Sequence, residues 1–117
     1  MAEHAGASGI ESARALLAAR DRELAAADAE LADIVSGAHA AATEAIRRID
    51  AVTAEIETAV VQRAIAAPAD GREFARFLIA KQREISDILT TARADADAKT
   101  IVLRQLLDRY RVSSTAV

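Results

Sequence analysis

The chain has 117 residues, a formal net charge of −3 and no cysteine, and its 52% hydrophobic content includes only three aromatic residues. A chain of this length forms one domain, near the lower limit for burying a core unaided. The acidic balance speaks against a nucleic-acid footprint, which needs a basic stripe, and without cysteine there is neither a disulfide framework nor thiol chemistry.

Alanine supplies 31 residues, about half of the hydrophobic total, so much of that total contributes helix propensity and close packing rather than buried area. Residues 1–9 (MAEHAGASG) read as a disordered lead, with Ser8 or Gly9 placed to cap a helix and Glu11 in its first turn. From Ile10 to Ala66 apolar residues recur every three or four positions, which predicts a long amphipathic helix. Its seam repeats every seven residues at Ile10, Leu17, Leu24, Leu31, Ala38, Ala45, Val52 and Ala59. The companion positions are first Ala27 and Ile34, then Ala42, Ile49 and Ile56. The change of offset near Ala38 is a stutter, a four-residue insertion that locally unwinds a left-handed supercoil. It coincides with Ser36-Gly37. Glycine costs about 1 kcal/mol in a helix interior, and Gly/Ser pairs are sites of kinks. The helix therefore either continues with a bend or breaks at Gly37 into a three-helix arrangement. Continuity is favoured, because neither proline nor a cluster of turn residues accompanies the glycine.

Turn chemistry gathers at residues 67–70, around the single proline, Pro68. The second helix spans 71–112, opening on Asp70-Gly71-Arg72-Glu73, which fits a capping box. Its stripe runs through Phe74, Phe77/Leu78, Ile85, Ile88, Ala92, Ala96, Leu103, Leu106 and Tyr110, and residues 113–117 are expected to fray. The resulting fold class is all-α: an antiparallel, coiled-coil-like helical hairpin of unequal arms, occupying residues 10–112. Because both helices rise 1.5 Å per residue, a turn near Pro68 brings together residues whose numbers sum to about 137. That register sets small residues 92–98 against Ala38–Ala45 and matches Glu44 with Arg93, Asp33 with Arg104 and Asp28 with Arg109. Charge is also split between the arms. Residues 1–60 carry 11 acids and 5 bases, whereas 61–117 carry 7 acids and 10 bases. Exposed pairs of this kind bias register more than they drive folding.

The unequal arms have a consequence. Val112 reaches back only to about Ala25, so Ile10, Leu16, Leu17 and Leu24 find no partner in a simple hairpin, and with Leu31 they form a candidate partner interface. Left uncovered, each forgoes about 1.5–3 kcal/mol of burial. A second copy of the chain or another helical hairpin would cover them. Tyr110, between Arg109 and Arg111, reads as an aromatic end-plug of the hairpin, with a recognition tail for a partner as its functional alternative.

Chemistry is sparse. His4 and His39 are the only histidines, no Glu-x-x-His pattern occurs, and Ser12, Ser36 and Ser86 lack a histidine at any motif spacing. Asp95-Ala-Asp97 lacks the glycine and terminal glutamate of a calcium loop. No catalytic, cofactor-binding or metal residue is assigned, and the expectation is a protein that is not an enzyme. No basic n-region precedes an apolar stretch, and no run approaches the length of a membrane span. The expected location is the cytoplasm, or outside the cell by export without a cleaved signal.

The strings Glu44-Ala-Ile-Arg-Arg-Ile-Asp50, Gly71-Arg-Glu-Phe-Ala-Arg-Phe-Leu-Ile-Ala-Lys-Gln-Arg-Glu-Ile85 and Lys99-Thr-Ile-Val-Leu-Arg-Gln-Leu-Leu-Asp-Arg-Tyr110 resemble a family of small, mostly mycobacterial helical proteins of unknown function. That family is similar in turn to the Esx-like (WXG-type) hairpins of type VII secretion. The resemblance implies an antiparallel hairpin that pairs with a second hairpin and has no enzymatic activity. Two departures stand out: the chain has no tryptophan for a Trp-x-Gly turn, and Ser114 occupies the acidic position of a Tyr-x-x-x-Asp/Glu export signal beginning at Tyr110. The expected role is a non-enzymatic interaction subunit associated with type VII secretion. An intracellular coiled-coil scaffold or adaptor is the alternative. An amphipathic lipid or granule coat is disfavoured by the alanine-diluted stripes.

Overall fold

The computed structural model describes residues 2–65 and 71–115. Among these the chain forms two α-helices, α1 (Ala2–Ile65) and α2 (Gly71–Thr115), and no strand. The expected turn, with Pro68 and the Asp70 end of the capping box, lies outside the described residues, as do Ala116 and Val117. Glu73 stands in the first turn of α2, where a carboxylate complements the helix dipole.

The three-helix alternative is not adopted: α1 runs through Gly37 without a break. One glycine costs about 1 kcal/mol, too little to interrupt a long alanine-rich helix that no proline enters. The helical bounds also exceed those expected. Residues 2–9 belong to α1 and residues 113–115 to α2. In the lead, Ala2, Ala5 and Ala7 supply propensity that offsets Gly6 and Gly9.

The packing divides into two units, one of residues up to Ser36 with those from Thr100 onward, the other of Gly37–Lys99. In the second unit, α1 turns Gly37, Ala41, Ala45, Ile49, Val52, Ile56 and Ala59 inward, and Val52 is 7% exposed. Opposite them α2 presents Phe74, Phe77, Lys81, Ile85, Ile88, Ala92, Asp95 and Lys99. Two contacts fix direction and register. Lys81 pairs with Glu55, and the Cε of Lys99 lies 3.5 Å from where a Cβ on Gly37 would stand. Both join residues whose numbers sum to 136, so the helices run antiparallel close to the expected register. At the end of this unit Phe74 and Phe77 stack with centroids 6.2 Å apart, and the Arg63 guanidinium sits 4.3 Å over the Phe74 ring.

The four-residue steps of the stutter run from Gly37 through Ala41 and Ala45 to Ile49, with Gly37 and Ala41 in the inward places expected for Ala38 and Ala42. Ala38 and Ala42 face outward. The methylene stem of Lys99 accounts for the difference, because it needs a small facing residue and lies against Gly37 while its ammonium reaches Asp95. Asp95 likewise takes the inward position expected for Ala96.

Gly37→Ala is expected to stabilise the protein by up to about 1 kcal/mol. The glycine does not have positive φ, and the added methyl would meet only Lys99 at ordinary van der Waals distance. Urea unfolding of the two proteins checks this, and a lower midpoint for the alanine variant would contradict it.

In the other unit, Leu24, Ala27 and Ile34 of α1 and Leu106, Arg109 and Tyr110 of α2 turn inward. Ala27 is 2% exposed and Leu106 3%. With Val52 they are the only fully buried apolar residues among those described. The chain is an all-α antiparallel helical hairpin with a thin core.

Candidate interaction surfaces

No helix is long and apolar enough to cross a membrane, and among the described residues no group of three His, Cys, Asp or Glu side chains could hold a metal ion. What the hairpin does present is side-chain surface, described below one unit at a time.

In the unit formed by the chain ends, positions 10, 13, 17, 20, 24, 27, 31 and 34 keep an unbroken alternation of three- and four-residue steps, which is the spacing of a coiled-coil seam. The latter half of this seam meets α2. Leu24 is half-buried, Ala27 fully buried and Leu31 at the margin, 37% exposed. The first half does not. Every residue from Gly6 to Ala19 is exposed, including Ile10 at 57%, Leu16 at 72% and Leu17 at 58%. Near the end of the described part of α2, Arg109 lies against Glu23 and Glu30. Of the five sequence-predicted interface residues, Ile10, Leu16 and Leu17 are exposed. Leu24 is half-buried against α2, and Leu31 is exposed at the margin.

The end of α2 is fastened by polar side chains. Arg109 donates from Nε and Nη2 to Glu23 Oε1 at 3.0 and 2.8 Å, and from Nη1 to Glu30. Tyr110 donates its hydroxyl proton to Asp28. The expected Asp28–Arg109 pair is thus replaced, since Asp28 serves the tyrosine and the arginine forks onto two glutamates. The expected Glu44–Arg93 pair is replaced too. Glu44 accepts from Arg47 and Arg48 on its own helix, and chiefly the Arg47 hydrogen bond lowers its pKa to about 2. In an extended hairpin register a neighbour three or four residues away on the same helix is nearer than one across the seam.

Hydrogen bonding to the Asp28 carboxylate, with some desolvation, raises the Tyr110 pKa above its usual value of 10.0. The sign of the pH dependence follows. A group with a raised folded-state pKa contributes stability in full below its unfolded pKa, and loses it as pH climbs through the folded value. This end of the hairpin should therefore loosen above about pH 10. Tyr110 is the only tyrosine and there is no tryptophan, so tyrosinate absorbance reports it alone. The folded protein should titrate at higher pH than the denatured chain, and Asp28→Asn should remove most of the difference. Coincident titrations would contradict the bond.

In the other unit a polar margin runs along one side of the seam. Lys81 bridges Glu55 on α1 and Glu84 on α2, and its pKa is raised mainly by the Glu55 hydrogen bond. A shallow groove of about 260 Å³ lies on this side where Ala41, Ala45 and Ala92 face one another, rimmed by Glu44, Arg48 and Asp95. Ile88 and Thr91 complete its lining. Sequence reasoning missed the inward Lys81, Asp95 and Lys99, because charged residues were read as solvent-facing. The exact three- and four-residue continuation of the stripe through 77, 81 and 85, and through 92, 95 and 99, is the signal that finds them.

Comparison with known proteins finds relatives of the chain. The model of a domain of unknown function, DUF4226, matches residues 3–115. The uncharacterized protein MT0028 of Mycobacterium tuberculosis (strain CDC 1551 / Oshkosh) is 44% identical over 115 residues, covering 94% of this chain and 96% of that protein. The uncharacterized protein Rv0026 of Mycobacterium tuberculosis (strain ATCC 25618 / H37Rv) is 31% identical over 108 residues, covering 92% of this chain but 24% of the relative. The uncharacterized protein Rv0739 of the same strain is 41% identical over 68 residues, 56% of this chain and 25% of the relative. No solved structure matches.

Proposed function

The chain belongs to the DUF4226 family, and we propose that it serves as a non-enzymatic helical module for protein–protein interaction. The observation that carries this reading is the seam of α1 continuing past the end of α2, with Ile10, Leu16 and Leu17 exposed. A helix that is apolar at coiled-coil spacing gains stability by taking up a partner helix. The relatives support a modular role, since similar sequence makes up nearly all of MT0028 and about a quarter of Rv0026.

Within this reading the partner is a helical protein of type VII secretion. The support is the resemblance to Esx-like hairpins, together with the antiparallel hairpin itself. The hydroxyl of Tyr110 is engaged by Asp28, so use of Tyr110 as a recognition element requires that bond to open. An intracellular scaffold would use the same overhang with a different partner.

The test uses the tagged full chain expressed in a mycobacterial host. Ile10→Asp with Leu17→Asp is the appropriate pair, because Leu24 also packs inside the hairpin. The expected result is loss of a co-purifying protein with helicity retained. Secretion components among the lost proteins support the finer reading, and a set without them supports the scaffold. Unchanged co-purification by the double variant overturns the overhang as interface.

A further inference from the structure

The two units are held together by different means. In the Gly37–Lys99 unit, Val52 is buried, and Ile49, Ile56, Phe74, Phe77, Ile85 and Ile88 are half-buried along the seam. In the chain-end unit Ala27 and Leu106 are buried, and Leu24 and Ile34 are half-buried. From Ile101 to Val112, α2 carries six large aliphatic residues, and all but Leu106 are exposed. Apolar burial, the main attraction between packed helices, is thin at this end.

Polar side chains take over the fastening. Arg109 of α2 forks onto Glu23 and Glu30 of α1, and the Tyr110 hydroxyl donates to Asp28. Glu23, Asp28 and Glu30 are exposed, while Arg109 and Tyr110 are half-buried. A cleft of about 300 Å³, lined by Glu23, Asp108, Arg109, Val112 and Ser113, opens beside them. Water can therefore take up the separated partners, and links of this kind hold weakly.

We infer that Arg109 and Tyr110 form a releasable latch: the chain-end unit opens as one cooperative piece, residues 100–115 of α2 leaving α1, while the Gly37–Lys99 unit stays folded. Regions with few buried apolar contacts and solvent-exposed links open at the lowest free energy within a structure. Opening uncovers the α1 seam at Leu24, Ala27 and Ile34. The three- and four-residue steps there continue those of the exposed Ile10, Ala13 and Leu17. The tail of α2 thus masks half of one seam, and the latch sets how often the whole of it is offered to a partner. That consequence rests on the interaction reading above; the opening itself does not.

Opening as one piece differs from fraying of a helix end. Fraying loosens α2 progressively toward Thr115 and leaves residues 24–34 untouched, because they lie in the interior of the 64-residue α1. Release of the latch strips both segments of their packing together. Each is then a lone helix, and short lone helices are marginal in water.

Native-state hydrogen exchange of the full chain, with no partner present, tests the proposal. Amides of residues 24–34 and 103–110 should share one opening free energy and one urea dependence. They should exchange about tenfold or more faster than those of residues 45–59 and 77–92. Tyr110→Phe keeps the ring but loses the hydroxyl bond, and Arg109→Gln loses the fork. Each should speed exchange at both 24–34 and 103–110 by roughly two- to fivefold. Val52→Ala should do the reverse. It should speed exchange at 45–59 and 77–92 by about tenfold or more and leave the chain-end amides at their wild-type rates, since their opening keeps the Val52 packing.

Residues 24–34 as protected as 45–59 would mean fraying alone, and would overturn the latch. Latch variants that leave 24–34 unchanged overturn it too, as does a Val52→Ala effect that spreads to the chain ends. The wild-type pattern decides even if a variant misfolds. Failure here leaves the overhang reading standing, and an overhang that captures no protein leaves the latch standing.

Discussion

Truncating Leu106 to alanine is expected to lower stability by about 2–4 kcal/mol, the range for a large buried aliphatic side chain. Leu106 is the largest of the three fully buried apolar residues among those described. Its unit has little to replace it, for Leu24 and Ile34 are only half-buried and Leu103 is 38% exposed. Small domains have about 5–15 kcal/mol in total, so the loss should be visible as a large drop in the urea midpoint. Leu107→Ala is the internal control. It removes the same atoms one residue along, from a side chain that is about half exposed, and should cost far less. Similar losses at the two positions would mean that burial by the partner helix does not set the energetics of this end of α2.

Helix content and pairing were legible because they rest on many residues at once. Alanine abundance, a seven-residue recurrence and a single proline all point to two long helices, and the antiparallel register followed within one residue from the position of Pro68. Continuity through Gly37 was legible for the same reason, since one unfavourable residue is outweighed by its neighbours. The helix ends were less so. Residues 2–9 and 113–115 look like lead and tail by composition, yet they carry enough alanine or enough of the preceding periodicity to extend the helices.

Side-chain partners were the least legible part. Lys81, Asp95 and Lys99 occupy seam positions that a binary reading assigns to apolar residues. Each is tolerable there for a physical reason specific to a long side chain in a thin hairpin. The ammonium of Lys81 sits 5.5 Å over the centre of the Phe77 ring and the Cε of Lys99 lies against Gly37, while both ammonium groups reach carboxylates at the margin. Only two helices cover the seam, so a charge at its centre stays near water and avoids the penalty of full burial. Such residues also resist a slip in register, since shifting α2 would carry Lys81 away from Glu55 and Lys99 away from the one glycine that accommodates it. The exposed overhang, by contrast, could be reasoned from arm lengths alone, and Ile10, Leu16 and Leu17 are where that reasoning placed them.

Enlarging Ala27 to leucine should cost about 1–3 kcal/mol, the usual penalty for inserting carbons into a packed site. Ala27 is the most fully buried residue described, and its seam neighbours Leu24 and Leu31 are already leucine. A third large side chain between them has to push α2 outward or leave its preferred rotamer. Ala26→Leu makes the same change on an exposed position of the same turn, and leucine is nearly as good a helix former as alanine. That variant should therefore unfold at nearly the same urea concentration as the wild type, and the gap between the two variants isolates packing from propensity. If Ala27→Leu instead raised the midpoint, the seam at that level would hold an unfilled space despite the burial of Ala27.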